Sequence, residues 1–424
     1  MQSQANISHD QIRRKVYSIN RNVDVNHAVP LTYDNYIRAP ELIQFQYPEF
    51  KGGLNHHDEH LFIVIHQGFE IWFKQILFEI DSAVSIMKDP TLFVEQLAIE
   101  SVHEKITRAG LIMKTIIPFF DVMETMHPLS FLEFRDFLGP GSGMQSIQMR
   151  EIETTLGVRH EDRVHIPKEM KMASQCPLGY GASNHDDESV IDENMTAQMK
   201  KLSERYHSES TTVKSLIHSW LEKCIHPMVP ENFEEKFLQS VCQCFKFQRL
   251  RWRDTKEWHD YDEKAMELEK EKVKNWINGN TATTSHHVLD KCPMMAMTQN
   301  QVQNRHDIAV TNENGSADSS KKRRLAILFI MCYRHIPGIS HLSKLIDSLL
   351  SFEEQLLLWR NRHVKLVENY MGTKIGTGGL GLKYLNDTLG MRIFDELWQA
   401  RSYYVATSWL PELKEGSNQT FQFC

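Results

Sequence analysis

Residues that interrupt helices are scarce in this chain. Among 424 residues there are only 20 glycines and 14 prolines, and few stretches alternate between apolar and polar side chains. Glycine and proline weaken a helix interior, and alternation is typical of a half-buried strand. With 41% apolar residues available for a core, the composition predicts an all-α protein built as a helical bundle.

Long apolar runs and an excess of basic charge are also missing. The longest apolar run, residues 325–333, is far shorter than the roughly 20 residues that a membrane span needs. Residues 1–15 contain no apolar segment of the kind found in secretory signals. The net charge of -7 is opposite in sign to the basic face of a typical nucleic-acid-binding protein. We therefore expect a cytoplasmic protein with no membrane span and no nucleic-acid partner.

Closely spaced cysteines are rare as well. The 7 cysteines are scattered, Cys242 and Cys244 form the single close pair, and no CxxC motif occurs. A structural zinc site needs a second pair of ligands, which this pattern does not supply. The odd number of cysteines favours reduced thiols in a reducing compartment.

Helical periodicity dominates the chain, with short breakers such as Asp89-Pro90 and Pro337-Gly338 between periodic stretches. The predicted helices cover residues 59–88, 98–125, 130–138, 142–156, 194–224, 231–278, 323–334, 341–349, 351–371 and 391–408. Residues 171–193 and 279–322 are rich in small and polar side chains and are predicted to be loose. The second stretch is long enough to be a disordered insertion.

Two charged stretches have ordinary structural interpretations. Residues 254–274 are expected to form a solvated helix face carrying i,i+4 ion pairs. The basic run from Lys321 to Arg324 allows a nuclear-localisation signal, but the basic start of a helix is the simpler interpretation.

One histidine lies within the most aromatic helix face of the chain. In residues 60–80, HLFIVIHQGFEIWFKQILFEI, the spacing places Phe62, His66, Phe69 and Phe73 on one stripe. A buried imidazole needs a partner, because an unpaired buried polar group costs about 2–7 kcal/mol. The pattern alone leaves that partner open, with a structural group simpler than a metal or a ligand.

Two further motifs have mainly structural interpretations. His56 and His60, in HHDEH, are four residues apart, but the order of the zinc motif HExxH is absent, and capping of a helix start is favoured over a metal site. The glycines of residues 376–381 match GxGxxG but follow a predicted helix instead of a strand, which excludes a dinucleotide site. They still allow close approach of a ligand to the backbone near Thr377.

A second embedded histidine, His363, shares a predicted helix face with Trp359 and Val367, and Arg360 is close by. An apolar slot with nearby arginines suits a haem ligand, although a core histidine is the simpler interpretation of the pattern. Arg150 lies near the apolar face of its predicted helix. It needs a carboxylate from the protein or from a ligand, and an intramolecular salt bridge is the simpler of the two.

Taken together, these segments resemble the tryptophan 2,3-dioxygenase family. The resemblance is carried by HDEHLFIVIHQGFEIWFKQILFEID (57–81), FRDFLGPGSGMQSIQMREIE (134–153), LLLWRNRHVKLVENYMGTKIGTGG (356–379) and, more weakly, YDNY (33–36). It extends from about Tyr33 to Leu410, with the blocks in the family's order. It implies one helical haem-dioxygenase domain of the tryptophan/indoleamine 2,3-dioxygenase type over residues 1–424, assembling as a homotetramer. Within it we expect a flexible segment at about 1–25 and the insertion at about 279–322.

The resemblance also implies roles for individual residues. His363 takes the position of the axial ligand to the iron of haem b, with Trp359 and Arg360 on the cofactor side. His66 takes the position of the catalytic histidine that faces the indole N–H. The positions implied to contact substrate are Phe62, Ile63, Val64, Ile65, His66, Arg150 at the carboxylate, Thr377 at the ammonium and carboxylate, and Tyr33 and Tyr36, which reach a neighbouring subunit's pocket.

The implied activity is insertion of O₂ across the indole C2–C3 bond of L-tryptophan to give N-formylkynurenine, the first step of the kynurenine pathway. The loop around Leu380–Leu382 departs from the family's pattern, as do Met144, Glu368 and the insertion. The altered loop is the reason for an alternative hypothesis, a haem oxygenase that acts on another indole or aromatic amino acid. A non-catalytic haem or tryptophan sensor is the alternative of another class, but the chain retains the full set of implied site residues.

Overall fold

The computed structural model describes residues 32–46, 56–135, 138, 146–158, 211–251, 263–279, 317–372, 374, 382–415 and 421–423. Its α-helices are α1 (Tyr33–Ile37), α2 (Ala39–Leu42), α3 (His57–Met87), α4 (Gln96–Ile116), α5 (Phe119–Met123), α6 (Pro128–Arg135), α7 (Ile147–Leu156), α8 (Val213–Trp220), α9 (Phe233–Arg251), α10 (Glu263–Ile277), α11 (Ala317–Cys332), α12 (Pro337–Met371), α13 (Leu382–Thr388) and α14 (Asp395–Ala400). A π-helical turn spans Leu221–Ile225, and 3₁₀ turns span His226–Met228, Arg401–Tyr403 and Thr407–Trp409. The mostly helical class predicted from composition is confirmed.

The chain forms two compact units. The first unit comprises residues 1–216 and 348–393, and the second comprises residues 217–347 and 394–424. Each unit is described separately below. The predicted single domain stays a prediction.

Helices α3 and α4 pack along each other in the first unit. The buried residues of α3 repeat every three or four positions, as do those of α4, so each helix presents one apolar stripe to the core. The core includes Phe73, Ile76 and Ile80 of α3 and Ile99, Ile106 and Met113 of α4. Each such side chain contributes about 1.5–3 kcal/mol to folding.

A glycine brings α12 close to α4 within this unit. A Cβ built on Gly110 would lie 3.3 Å from the Cα of Phe352, tighter than ordinary van der Waals contact. Glycine at this position therefore permits the backbones of the two helices to approach each other at Phe352.

The ends of α3 and α7 follow from local sequence. The Nδ1 atom of His56 accepts a hydrogen bond from the backbone N–H of Asp58 at 3.4 Å, and Asp58 and Glu59 occupy the positive end of α3. The predicted capping role is thus confirmed for His56. Ser146 caps α7 by accepting a hydrogen bond from the N–H of Met149.

In the second unit, the long apolar run of the sequence lies in α11. Residues 325–333 are all buried, so this run is explained by a helix surrounded by protein. Arg323 and Arg324 are also buried, and both pair with the buried Glu396 of α14. The basic residues therefore belong to a helix, which is the favoured one of the two interpretations of this run.

The structure corrects several predicted boundaries. Predicted helices 341–349 and 351–371 form the single helix α12, and α11 begins at Ala317, so residues 317–322 are helical and outside any disordered insertion. The predicted helix 391–408 is reduced to α14 and short 3₁₀ turns. A pair of antiparallel strands, β1 (Leu413–Glu415) and β2 (Phe421–Phe423), is an addition to the predicted all-α class. In α10, which covers part of the charged stretch 254–274, ion pairs such as Lys272–Glu269 have i,i+3 spacing instead of the expected i,i+4. Residues 254–262 lie outside the described residues.

Candidate functional site

Phe62 and His66, two of the predicted substrate contacts, lie in contact on α3. The rings of Phe62 and His66 have centroids 4.1 Å apart, and Nδ1 of His66 lies 2.7 Å from the carbonyl oxygen of Phe62. A carbonyl oxygen only accepts hydrogen bonds, so Nδ1 carries the hydrogen. Burial lowers the pKa of His66 and outweighs the opposing effects of this hydrogen bond and of Glu70. The imidazole is therefore neutral at pH 7, and its Nε2 atom offers a lone pair.

His363 lies on α12 close to the same group. Its ring centroid is 5.5 Å from that of Trp359 and 6.0 Å from that of Phe120. Burial, with smaller electrostatic effects of His66 and Arg150, lowers its pKa from 6.5 to about 4. Two residues that are far from His363 in the sequence, His66 and Arg150, are thus brought within electrostatic range of it.

His66 and His363 are largely enclosed by protein but keep some solvent-accessible surface. Burial dominates the pKa of both rings, but part of each side chain remains accessible. This combination is expected of side chains that line an internal recess. It differs from a fully buried core histidine, the simpler interpretation of the sequence pattern.

Aromatic side chains surround this recess. The Trp359 ring lies 5.7 Å from Phe69, 5.6 Å from Phe73 and 5.5 Å from Phe120, centroid to centroid. Within the described part of the chain, the buried Nε1 atom of Trp359 has no hydrogen-bond partner. Flat apolar walls, a neutral imidazole and a buried donor that needs an acceptor fit a haem, whose propionates are acceptors.

A buried group of three charged residues lies next to the recess. Oε2 of Glu153 accepts a hydrogen bond from Nη1 of Arg150 at 2.8 Å, and Oε1 accepts one from Nη2 of Arg360 at 2.7 Å. Arg150 and Glu153 share α7, whereas Arg360 precedes His363 by three residues on α12. The salt bridge considered from the sequence is present, and Arg360 takes part in it as well.

Comparison with known proteins decides the family. The family model described as tryptophan 2,3-dioxygenase matches residues 18–404 of this chain. The chain belongs to the tryptophan 2,3-dioxygenase family. This confirms the resemblance inferred from the sequence blocks.

Curated relatives match over nearly the whole chain. Tryptophan 2,3-dioxygenase 2 of Ralstonia nicotianae is 29% identical over 92% of this chain and 98% of its own length. Tryptophan 2,3-dioxygenase of Bdellovibrio bacteriovorus is 30% identical over 93% of this chain and 98% of its own. Tryptophan 2,3-dioxygenase A of Danio rerio is 30% identical over 93% of this chain and 86% of its own.

The other predicted substrate contacts are only partly brought together. Ile65 is buried and Ile63 is half-buried, whereas Val64 is 41% exposed. Two residues along a helix correspond to about 200°, which points Val64 away from the face of Phe62. The described residues therefore support Ile65 as part of the wall more than Val64.

The described structure does not join the three remaining predicted residues to this group. Tyr33 and Tyr36 lie on α1 and are 75% and 74% exposed. Thr377, together with the glycine loop, Met144 and most of the insertion, lies outside the described residues. Their roles stay predictions.

The structure adds aromatic residues that the sequence reasoning missed. Phe131 and Phe134 of α6 lie 5.8 and 5.7 Å from Phe62, centroid to centroid. Tyr370 of α12 lies 5.4 Å from Phe131, and its hydroxyl oxygen is 2.6 Å from the carbonyl oxygen of Met123. The three-residue spacing in FLEF indicated that Phe131 and Phe134 share a helix face, but it did not indicate which helix that face would meet.

Proposed function

We propose that this chain is a haem-dependent dioxygenase that inserts O₂ across the indole C2–C3 bond of L-tryptophan to give N-formylkynurenine. Membership of the tryptophan 2,3-dioxygenase family supports this activity. The observation that carries the site assignment is the convergence of His66, Arg150 and His363 at one aromatic recess.

His363 is the proposed axial ligand to the haem iron. The lowered pKa keeps its imidazole neutral at pH 7, and only the neutral ring has a lone pair for iron. The Nε1 atom of Trp359 would donate to an acceptor on the haem, and the rings of Phe69 and Phe73 pack against the Trp359 ring. Ferrous haem, when bound, supplies the activation of O₂.

His66 and Phe62 orient the indole. The hydrogen bond to the Phe62 carbonyl leaves Nε2 of His66 as an acceptor, which matches the single N–H donor of an indole ring. The Phe62 ring, supported by Phe131 and Phe134, provides an apolar wall against the indole face. These contacts exclude water and fix the indole ring in one orientation. His66 therefore acts by positioning the substrate, through the hydrogen bond that it accepts from the indole N–H.

Arg150 binds the carboxylate of the amino acid. Its guanidinium is only 14% exposed, and a buried guanidinium is best satisfied by carboxylates in a planar arrangement. Thr377 is the proposed contact to the ammonium and carboxylate end, and Tyr33 and Tyr36 are proposed to reach the pocket of a second copy. The large exposed fractions of both tyrosines support that last proposal.

The proposed assembly is a homotetramer in the cytoplasm. Apolar side chains on α3 face outwards, including Ile71 (51% exposed) and Phe78 (69% exposed), which supports burial against other copies. The length and composition of α3 allow two interpretations, a membrane span or the core helix of a soluble protein. Its opposite face carries Phe73 and Ile80 in the core, which favours the second interpretation. Sedimentation at four times the chain mass is the expected result, and a monomer contradicts the assembly.

The activity is tested with purified protein, haem, ascorbate and L-tryptophan under air. We expect the absorbance of N-formylkynurenine to grow with time. A Soret band without turnover of any indole favours the sensor. Turnover of another indole in place of L-tryptophan favours the related oxygenase.

A further inference from the structure

Glu153 connects the two helices that carry the polar and iron-binding ends of the site. One of its oxygens accepts from Arg150 and the other from Arg360, at 2.8 and 2.7 Å. All three side chains are at least 86% buried, with exposures of 14%, 6% and 7% for Arg150, Glu153 and Arg360. A carboxylate held at both oxygens has little freedom, and it therefore fixes the guanidinium groups that it holds.

Arg150 and Arg360 both direct a guanidinium group at the carboxylate of Glu153 in a largely buried position. Two cations this close repel each other, so the carboxylate between them keeps both in place. Glu153 therefore sets where the guanidinium of Arg150 lies, and with it the place where a substrate carboxylate meets that group.

We propose that Glu153 is a positioning residue that sets the guanidinium of Arg150 for the substrate carboxylate and links it to the His363 helix through Arg360. This inference rests on the proposed function, since it assumes that Arg150 meets the substrate carboxylate. Neither composition nor the family's implied roles singled out Glu153. The contact is visible only once α7 lies beside α12.

A neutral isostere separates positioning from a simple effect of charge. Glu153→Gln keeps the shape but places an amide N–H₂ against one of the guanidinium groups. If Glu153 positions Arg150, the dissociation constant for L-tryptophan and for indole-3-propionate rises at least about tenfold, equal to about 1.4 kcal/mol. If Glu153 only tempers the local charge, its removal makes the site more positive and both ligands bind more tightly.

The experiment uses haem-loaded protein and two readouts. Binding is followed by the shift of the Soret band on titration with each ligand, and steady-state kinetics give KM and kcat. We expect KM to rise while the Soret band of the free enzyme is unchanged, because His363 still holds the haem. Arg360→Lys, which keeps a charged donor towards Glu153, is expected to retain more affinity than Arg360→Gln.

Glu79→Gln is the matched control. Glu79 is a buried glutamate of the same unit that pairs with Arg108 at 3.0 Å, on α3 and α4, and its loss is expected to leave KM unchanged. Tighter or unchanged binding of both ligands by Glu153→Gln overturns the inference while leaving the proposed function intact. Failure of the wild-type protein to bind L-tryptophan contradicts both.

Discussion

The neutral state of His363 makes a prediction about acid sensitivity. Burial, with smaller electrostatic effects of His66 and Arg150, lowers the pKa of His363 from 6.5 to about 4 in the folded protein. Because the unfolded chain has the higher pKa, it takes up the proton first as the pH falls. The contribution of this residue to stability is therefore complete above pH 6.5 and is lost progressively between 6.5 and about 4.

The size of the effect follows from the two pKa values. At pH 5 the unfolded state is almost fully protonated at His363 and the folded state is almost fully neutral, which removes about 2 kcal/mol of stability. Below pH 4 the loss approaches about 3 kcal/mol. A substitution that does not titrate, His363→Gln, lacks this contribution.

The assay is equilibrium unfolding of the haem-free protein in urea at pH 7 and pH 5. Haem is removed so that ligand binding does not add its own stabilisation. Between the two pH values, we expect wild-type protein to lose about 2 kcal/mol more than His363→Gln, the other acidic effects being common to both. An equal loss in the two proteins refutes the assignment of His363 as a buried, neutral imidazole.

Further substitutions test the substrate contact, the packing behind it and the second unit. Arg150→Ala should weaken L-tryptophan binding by about 2–5 kcal/mol, because it breaks a buried charge pair; an unchanged KM would rule out that role. Tyr370→Phe removes a hydroxyl whose oxygen lies 2.6 and 2.9 Å from the carbonyl oxygens of Met123 and Met126, to which it donates a hydrogen bond. The protein should therefore lose about 1–2 kcal/mol of stability in thermal unfolding; an unaltered midpoint contradicts this. Glu396→Gln removes the carboxylate shared by the buried Arg323 and Arg324, of which Arg323 retains Glu222, and should cost about 3–5 kcal/mol, whereas the KM of the haem-loaded fraction should not change.

Much of the helical framework was predictable because the period of apolar residues is local information. The face of α3 that carries Phe69 and Phe73 follows directly from spacing, and both residues are buried. Helix ends were less predictable, because without a proline or glycine the sequence does not say whether a helix ends or continues. Residue 350 lies in the middle of α12, although the sequence suggested a boundary there.

The site was only partly predictable for a different reason. Spacing placed His66 within an apolar face and His363 within another, but no local pattern states that two faces far apart in the chain meet. The resemblance to a family supplied that link for Arg150. The role of Glu153 depends on an ion pair with Arg360 across 207 positions of sequence, which periodicity does not contain.

The fate of molecular oxygen tests the central claim most directly. Haem-loaded protein is supplied with L-tryptophan, ascorbate and ¹⁸O₂, and the molecular mass of the product is measured by mass spectrometry. We predict N-formylkynurenine that carries both labelled atoms in each molecule. A product with a single label, or none at all with L-tryptophan consumed, contradicts a dioxygenase, and intact L-tryptophan beside a normal Soret band contradicts an enzyme acting on this substrate.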